Sequence, residues 1–190
     1  MTKPKTKSEW RRWAETRSQE VDWAAAGLGI RAGLTELLRD LSPSLIVTYL
    51  AIDREVDVEP LVADFPQHSF LVTRTPPEGP LTVHPYGSTL EQHPYGFRQP
   101  TSDSASADIS AGGLALVPGL VFDRTGGRLG RGKGYFDELL GRFTAEMFIG
   151  VIPEALVVPE LPTDPHDIRM THLATEAGVR RVSRPPLTSR

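Results

Sequence analysis

The residues whose chemistry is easiest to read lie at positions 126–137, GGRLGRGKGYFD. Gly130, Gly132 and Gly134 alternate there with Arg131 and Lys133. Glycine leaves no side chain where a backbone must approach a ligand closely, so such a loop gathers main-chain N–H groups and cations in one place. That place suits a phosphate, and a helix starting near Tyr135 would add the positive end of its dipole. Asp137 follows one helical step later, near Arg128, Arg131 and Lys133. A carboxylate beside cations and a phosphate suits a divalent metal bridging the two. The same residue would serve equally as an ion-pair partner or as a first-turn acid complementing the helix dipole.

Two better-known phosphate loops are excluded. Residues 127–133 match the start of a P-loop, but Gly134 stands where a Ser or Thr should reach the metal, and residues 119–126 separate the loop from the preceding strand. The Gly-x-Gly-x-Gly spacing also fails the dinucleotide-binding pattern. A glycine-rich hairpin with solvated charges remains the alternative. A second acidic candidate, His166-Asp167, lies between Pro165 and the final strand and would otherwise be a turn or cap. Lys7 and Arg11 share a helix face that would otherwise be solvated, and Glu55 reads as a surface residue.

The elements that must position these groups follow from periodicity. Residues 7–41 are helical in pattern, with Gly27 and Gly29 expected to split the region into two helices. The β-branched run at 45–50 reads as a buried strand, 58–65 as a short helix and 70–73 as a second strand, together a unit that builds parallel sheets. Residues 76–106, rich in Pro, Gly, Ser and His, read as a long loop with one strand at 81–83. Strands are expected at 114–117 and 148–152, a helix at 135–143, one more segment at 173–182, and a frayed tail at 183–190. The sum is one α/β domain over 1–182, a mostly parallel sheet with helices on both faces. Ligands bind such sheets at the carboxyl ends of the strands, here 49–55 and 117–137.

Composition bounds the rest. The 190 residues suffice for one domain with its own core, and 39% hydrophobic and 24% charged residues are ordinary for a globular protein. A formal charge of −3 supplies no global basic field, so nucleic acid and membrane are not expected partners. With no cysteine there are no disulfides, thiolate metal sites or thiol nucleophiles. No apolar run is long enough for a signal peptide or a membrane span, and a cytoplasmic location is expected.

Taken together, Lys7-x-x-x-Arg11, YLAIDREVD at 49–57, VPGLVFD at 117–123, RLGRGKGYFD at 128–137 and LPTDPHD at 161–167 resemble the 5-formyltetrahydrofolate cyclo-ligases, also called methenyltetrahydrofolate synthetases. The motifs occur in that family's order and run from Lys7 to about Glu176. The resemblance implies a three-layer α/β/α fold of the NagB/RpiA/CoA transferase-like kind and a monomer whose partners are ATP and 5-formyltetrahydrofolate. ATP would phosphorylate the formyl oxygen, N10 would attack the activated carbon, and phosphate would leave. The resemblance places Lys7, Arg11, Arg128, Leu129, Gly130, Arg131, Gly132, Lys133, Gly134, Tyr135 and Phe136 on ATP. It assigns Leu50 and Glu55 to the folate, and Asp137 and Asp167 to Mg2+. Arg131, Lys133 and Tyr135 are the candidate catalytic residues, since phosphoryl transfer needs positioned cations more than a protein nucleophile. Residues 76–100 are a candidate lid.

The chain departs from the family pattern at Phe136 (often Tyr), Gly113 (often acidic), Val58 (often Thr), Leu156 (often Gln) and Gln99 (often Glu). A phosphate-ligand sensor without turnover is an alternative of a different class. An RNA-binding patch built on Lys3, Lys5, Lys7, Arg11, Arg12 and the loop cations is another, though it lacks interleaved aromatics and the net charge is negative.

Overall fold

The computed structural model describes residues 3–109, 113–143 and 147–182; the expected tail at 183–190 lies outside them. The chain begins with α1 (Lys7–Ser18) and α2 (Trp23–Leu41). Thr6 and Glu9 start α1 by capping each other's backbone N–H, a reciprocal arrangement visible in the sequence as T-K-S-E. The break between the helices falls at 19–22, where Asp22 caps α2 through the N–H of Ala25 at 3.0 Å. It does not fall at Gly27 and Gly29, which sit inside α2. Gly29 is a packing residue rather than a break, because a Cβ there would lie 2.9 Å from the Cβ of Glu176.

The expected strand-helix-strand unit is present as β1 (Leu45–Thr48), α3 (Pro60–Asp64) and β2 (Ser69–Arg74), with β1 and β2 parallel. The chain continues with β3 (Thr82–Pro85), β4 (Leu90–Gln92), β5 (Arg98–Pro100) and β6 (Leu114–Pro118). Next come β7 (Val121–Asp123), β8 (Arg128–Leu129), α4 (Tyr135–Arg142), β9 (Met147–Val151) and β10 (Val157–Val158). It ends with β11 (His172–Thr175) and β12 (Gly178–Arg181). The seven-stranded sheet has the order β12-β11-β9-β6-β1-β2-β3. Its five central strands are parallel and only the two edge pairings are antiparallel.

Alternation along the strands divides the core. Ile46, Phe70, Leu114, Leu116, Ile149 and Ala174 meet Ile30, Leu34 and Leu38 of α2 and Leu61 of α3 on one face. Val47, Leu71, Ala115, Val117 and Leu173 meet Leu139 and Leu140 of α4 on the other. The second outer layer is completed by a small sheet, β10-β7-β8, on which α1 lays Trp10 and Ala14.

Three expectations are corrected. The stretch 76–106 is not one long loop, since β4 and β5 pair there as a hairpin. Its strands are only three residues each, so they carry almost no alternation to read. The segment 173–182 is two antiparallel strands turning at 176–177 rather than one. The small sheet was unforeseen because β8 and β10 span only two residues each.

Candidate functional site

A cleft of about 1010 Å³ opens at the carboxyl ends of β1, β2 and β6, where such sheets hold their ligands. Every residue assigned to ATP, folate or metal from the resemblance lines it: Lys7, Arg11, Leu50, Glu55, the stretch from Arg128 through Asp137, and Asp167. Neither Gly113, Val58 nor Leu156 does, so these departures from the family pattern lie away from the cleft.

Helix α1 contributes one face. Lys7 and Arg11, four residues apart, project to the same side, while Trp10 and Ala14 are buried. Arg11 Nε donates to the carbonyl of Gly130 at 3.0 Å, which pins the helix to the glycine loop. Lys7 Nζ lies 2.6 Å from Asp167 Oδ2 and 2.8 Å from Asp164 Oδ2. Burial opposes its charge, yet the two carboxylates outweigh burial and raise the ammonium above the ordinary lysine value. Lys3, Lys5 and Arg12 are exposed and line no part of the cleft.

Arg128 is the buried cation of the site. Its Nη2 donates to Asp137 Oδ2 at 2.7 Å, its guanidinium lies over the Phe136 ring at 5.6 Å, and its Nε has no partner among the described residues. Burial lowers its pKa, with Asp137 and Asp167 opposing the shift. Asp137 Oδ1 accepts the N–H of Ile168 at 3.2 Å, so the residue after Asp167 is bonded to Asp137 and the two acidic motifs meet. Arg131 and Lys133 are exposed at the mouth. Arg131 Nη2 donates to the Asp53 carbonyl at 3.1 Å, whereas Lys133 has no hydrogen bond or ion pair among the described residues. The helix that Tyr135 opens is α4, and its positive end faces the same loop.

The ligand chemistry suits a hard cation such as Mg2+: Asp137 and Asp167 offer carboxylate oxygens, each here paired with a side-chain cation, Arg128 and Lys7. Asp164, His166 and Asp167 bring ligand atoms within 4.8 Å of one another, so Asp164 joins the acidic end of the cleft. Sequence reasoning missed Asp164; its spacing of three residues from Asp167 across one turn was the available signal.

The opposite wall is the β4–β5 hairpin. Its turn places His93, Tyr95 and Phe97 along the cleft, with the His93 and Phe97 rings stacked 4.2 Å apart. Buried Arg74 anchors it through Nε to the Pro100 carbonyl at 2.9 Å and Nη2 to Glu91 at 3.0 Å. Gln99 donates to Glu91 at 2.9 Å and accepts from the Thr75 N–H at 3.1 Å. A Glu at 99 would set two carboxylates together, which accounts locally for the departure.

Glu55 sits at the end of the loop after β1, with its side chain 13% exposed and 3.7 Å from Arg131. Burial raises its pKa, and the Ile52 N–H and Arg131 only partly offset this. The folded state therefore binds this proton more tightly than the unfolded chain, so Glu55 costs stability once pH rises through its folded value. Glu55→Gln keeps an acceptor for Ile52 and is expected to raise the melting temperature at neutral pH. The gain should fade as pH falls toward the ordinary glutamate range near ~4.3. Thermal melts of both proteins across pH test this; a pH-independent difference would remove the titration argument.

Among known proteins, residues 34–176 match the 5-formyltetrahydrofolate cyclo-ligase family. The mouse 5-formyltetrahydrofolate cyclo-ligase is 29% identical over 80% of this chain and 94% of its own. The Mycolicibacterium smegmatis 5-formyltetrahydrofolate cyclo-ligase is 38% identical over 46% of each chain. The structure of Aquifex aeolicus 5,10-methenyltetrahydrofolate synthetase superposes with a TM-score of 0.75 at 26% identity, covering 97% of this chain and 96% of that one. The Mycoplasma pneumoniae 5,10-methenyltetrahydrofolate synthetase shares the fold, with a TM-score of 0.70 at 17% identity over 90% of this chain and 98% of that one. No described helix is long and apolar enough to cross a membrane.

Proposed function

Since the chain belongs to the 5-formyltetrahydrofolate cyclo-ligase family, we propose that it converts 5-formyltetrahydrofolate to 5,10-methenyltetrahydrofolate at the expense of ATP and with Mg2+. The observation that carries this reading is the convergence of five separated motifs on one cleft, where Arg131 of the glycine loop reaches the Glu55 loop.

The chemistry divides along the cleft. Arg11, Arg128, Arg131 and Lys133, with the N-terminus of α4, surround the space where a triphosphate would lie. Bound by Asp137 and Asp167, Mg2+ would neutralise charge on the phosphate oxygens. The folate would lie toward Leu50 and Glu55, its formyl oxygen directed at the γ-phosphorus. That oxygen forms the new P–O bond as the bond to ADP breaks. N10 then closes on the formyl carbon and gives up its proton, and the C–O bond breaks to release phosphate. The protein needs no nucleophile for either step; Arg131 and Lys133 hold the transferring group, and Tyr135 at the first turn of α4 orients beside it. The activated intermediate must be kept from water, and the aromatic hairpin at 93–97 is placed to cover that end. Nothing in this scheme calls for nucleic acid or for a second subunit.

The test is an assay with ATP, Mg2+ and 5-formyltetrahydrofolate that follows the near-ultraviolet absorbance of the methenyl product. Turnover that stops on chelation of Mg2+ is expected. ATP binding with no product formed would reject the substrate and retain only a nucleotide site.

A further inference from the structure

We infer that Asp123 is a positioning residue that clamps the acidic loop at 161–170 to the root of the glycine loop and so sets where Asp164 and Asp167 stand relative to Arg128. The inference rests on the ATP- and Mg2+-dependent reading above and concerns a residue that does not itself line the cleft.

Asp123 ends β7 with no exposure to solvent. Among the described residues no cation pairs with it. Its carboxylate is satisfied by four neutral donors instead. Oδ1 accepts from the Thr125 N–H at 2.8 Å, the Thr125 hydroxyl at 2.7 Å and the Gly127 N–H at 2.8 Å. Oδ2 accepts from the N–H of Leu161 at 2.9 Å. A fully buried carboxylate without a counter-ion is costly to hold, and a plain turn needs only one or two of these bonds. What this carboxylate achieves beyond a turn is a bond between two segments 38 positions apart.

The same turn holds the other end of the acidic loop. The N–H of Met170 donates to the Gly126 carbonyl at 2.8 Å, and Arg169 Nη1 donates to the Thr125 hydroxyl at 2.8 Å. The loop is thus tied at Leu161 and again at Arg169 and Met170 to residues 123–127, and the chain then runs directly into Arg128. Gly127 makes the close approach possible, because a Cβ there would run into the Asp123 carboxylate. Displacing this turn would move the cation and the carboxylates of the site relative to each other.

Asp123→Asn isolates the clamp. The amide retains its shape, and its best orientation keeps the oxygen on the three donors at Thr125 and Gly127. The NH2 group then faces the Leu161 N–H, so the bond to the acidic loop is lost while the turn persists. The effect expected is about a 10-fold weaker affinity for Mn2+ in the presence of a non-hydrolysable ATP analogue, measured by electron paramagnetic resonance. The Mg2+ concentration for half-maximal turnover should rise by a similar factor, with KM for 5-formyltetrahydrofolate unchanged. Arg169→Met loosens the other end from a part-exposed position and should shift Mn2+ affinity the same way, which keeps the test open should Asp123→Asn fail to fold. A lower melting temperature with unaltered Mn2+ affinity in the folded variants would overturn the clamp and leave Asp123 a stability residue. Loss of the cyclo-ligase reading would show separately, as a wild-type protein that binds Mn2+ and nucleotide but forms no methenyl product.

Discussion

Arg128→Met is expected to be both inactive and unstable. The side chain is 5% exposed and forms a 2.7 Å pair with Asp137. Removing one partner of a buried pair leaves the other desolvated and unpaired, at a cost of about 3 kcal/mol. For a chain of this size that lowers the melting temperature by roughly 6–12 °C. Turnover should fall by about 100-fold or more, the loss seen when one charge-stabilising donor is removed from a reacting group. The double variant Arg128→Met/Asp137→Leu separates the two effects. Without a lone carboxylate, it should recover most of the stability, and it should remain inactive because no cation has been restored. Thermal melts and the methenyl assay on the three proteins decide the matter. A single variant that melts with the wild type would show that the pair is solvated and that Arg128 is held by other contacts.

Lys133→Ala is expected to behave oppositely. Lys133 is exposed between two glycines and has no hydrogen bond or ion pair among the described residues, so its removal should change stability by less than about 0.5 kcal/mol. Lys133 lines the cleft, and under the proposed function a bound phosphate would be its partner. Turnover should therefore drop by at least ~10-fold, with the loss in kcat rather than in KM for the folate, since the contact forms with the transferring group. Wild-type kcat in Lys133→Ala would take this residue out of the phosphoryl-transfer step and leave Arg131 and Arg11 to carry it. The contrasting expectations follow from the surroundings of the two residues: Arg128 is buried and paired with Asp137, and Lys133 is exposed.

Local rules made much of the fold legible. The Thr6–Glu9 box, the apolar face of α2 and the β-branched runs at β1, β2 and β6 are each specified within a few residues, and the structure contains them. Failures occurred where the signal was short or its cause was distant. Gly29 looked like a helix break because its reason for being glycine, the approach of Glu176, lies in a strand turn far along the chain. The β4–β5 hairpin was missed because Arg74, the buried last residue of β2, supplies the anchoring its own short strands lack. Asp123 looked like the end of a motif, since the Leu161 N–H that completes its coordination is visible only after folding.

By itself, then, the sequence determines the chemical types at the site: a glycine-spaced row of cations, two acidic motifs and a mostly parallel sheet to carry them. Residue type and local spacing suffice for that, because side-chain chemistry and backbone propensity act over a few positions. Only the tertiary structure decides which carboxylate meets which cation. Lys7 goes to Asp164 and Asp167, and Arg128 to Asp137, because α1, the glycine loop and the acidic loop converge through long-range hydrogen bonds at Gly130, Ile168 and Leu161. Those bonds join segments with no local preference for one another, and their geometry exists only once the sheet beneath has brought the strand ends together.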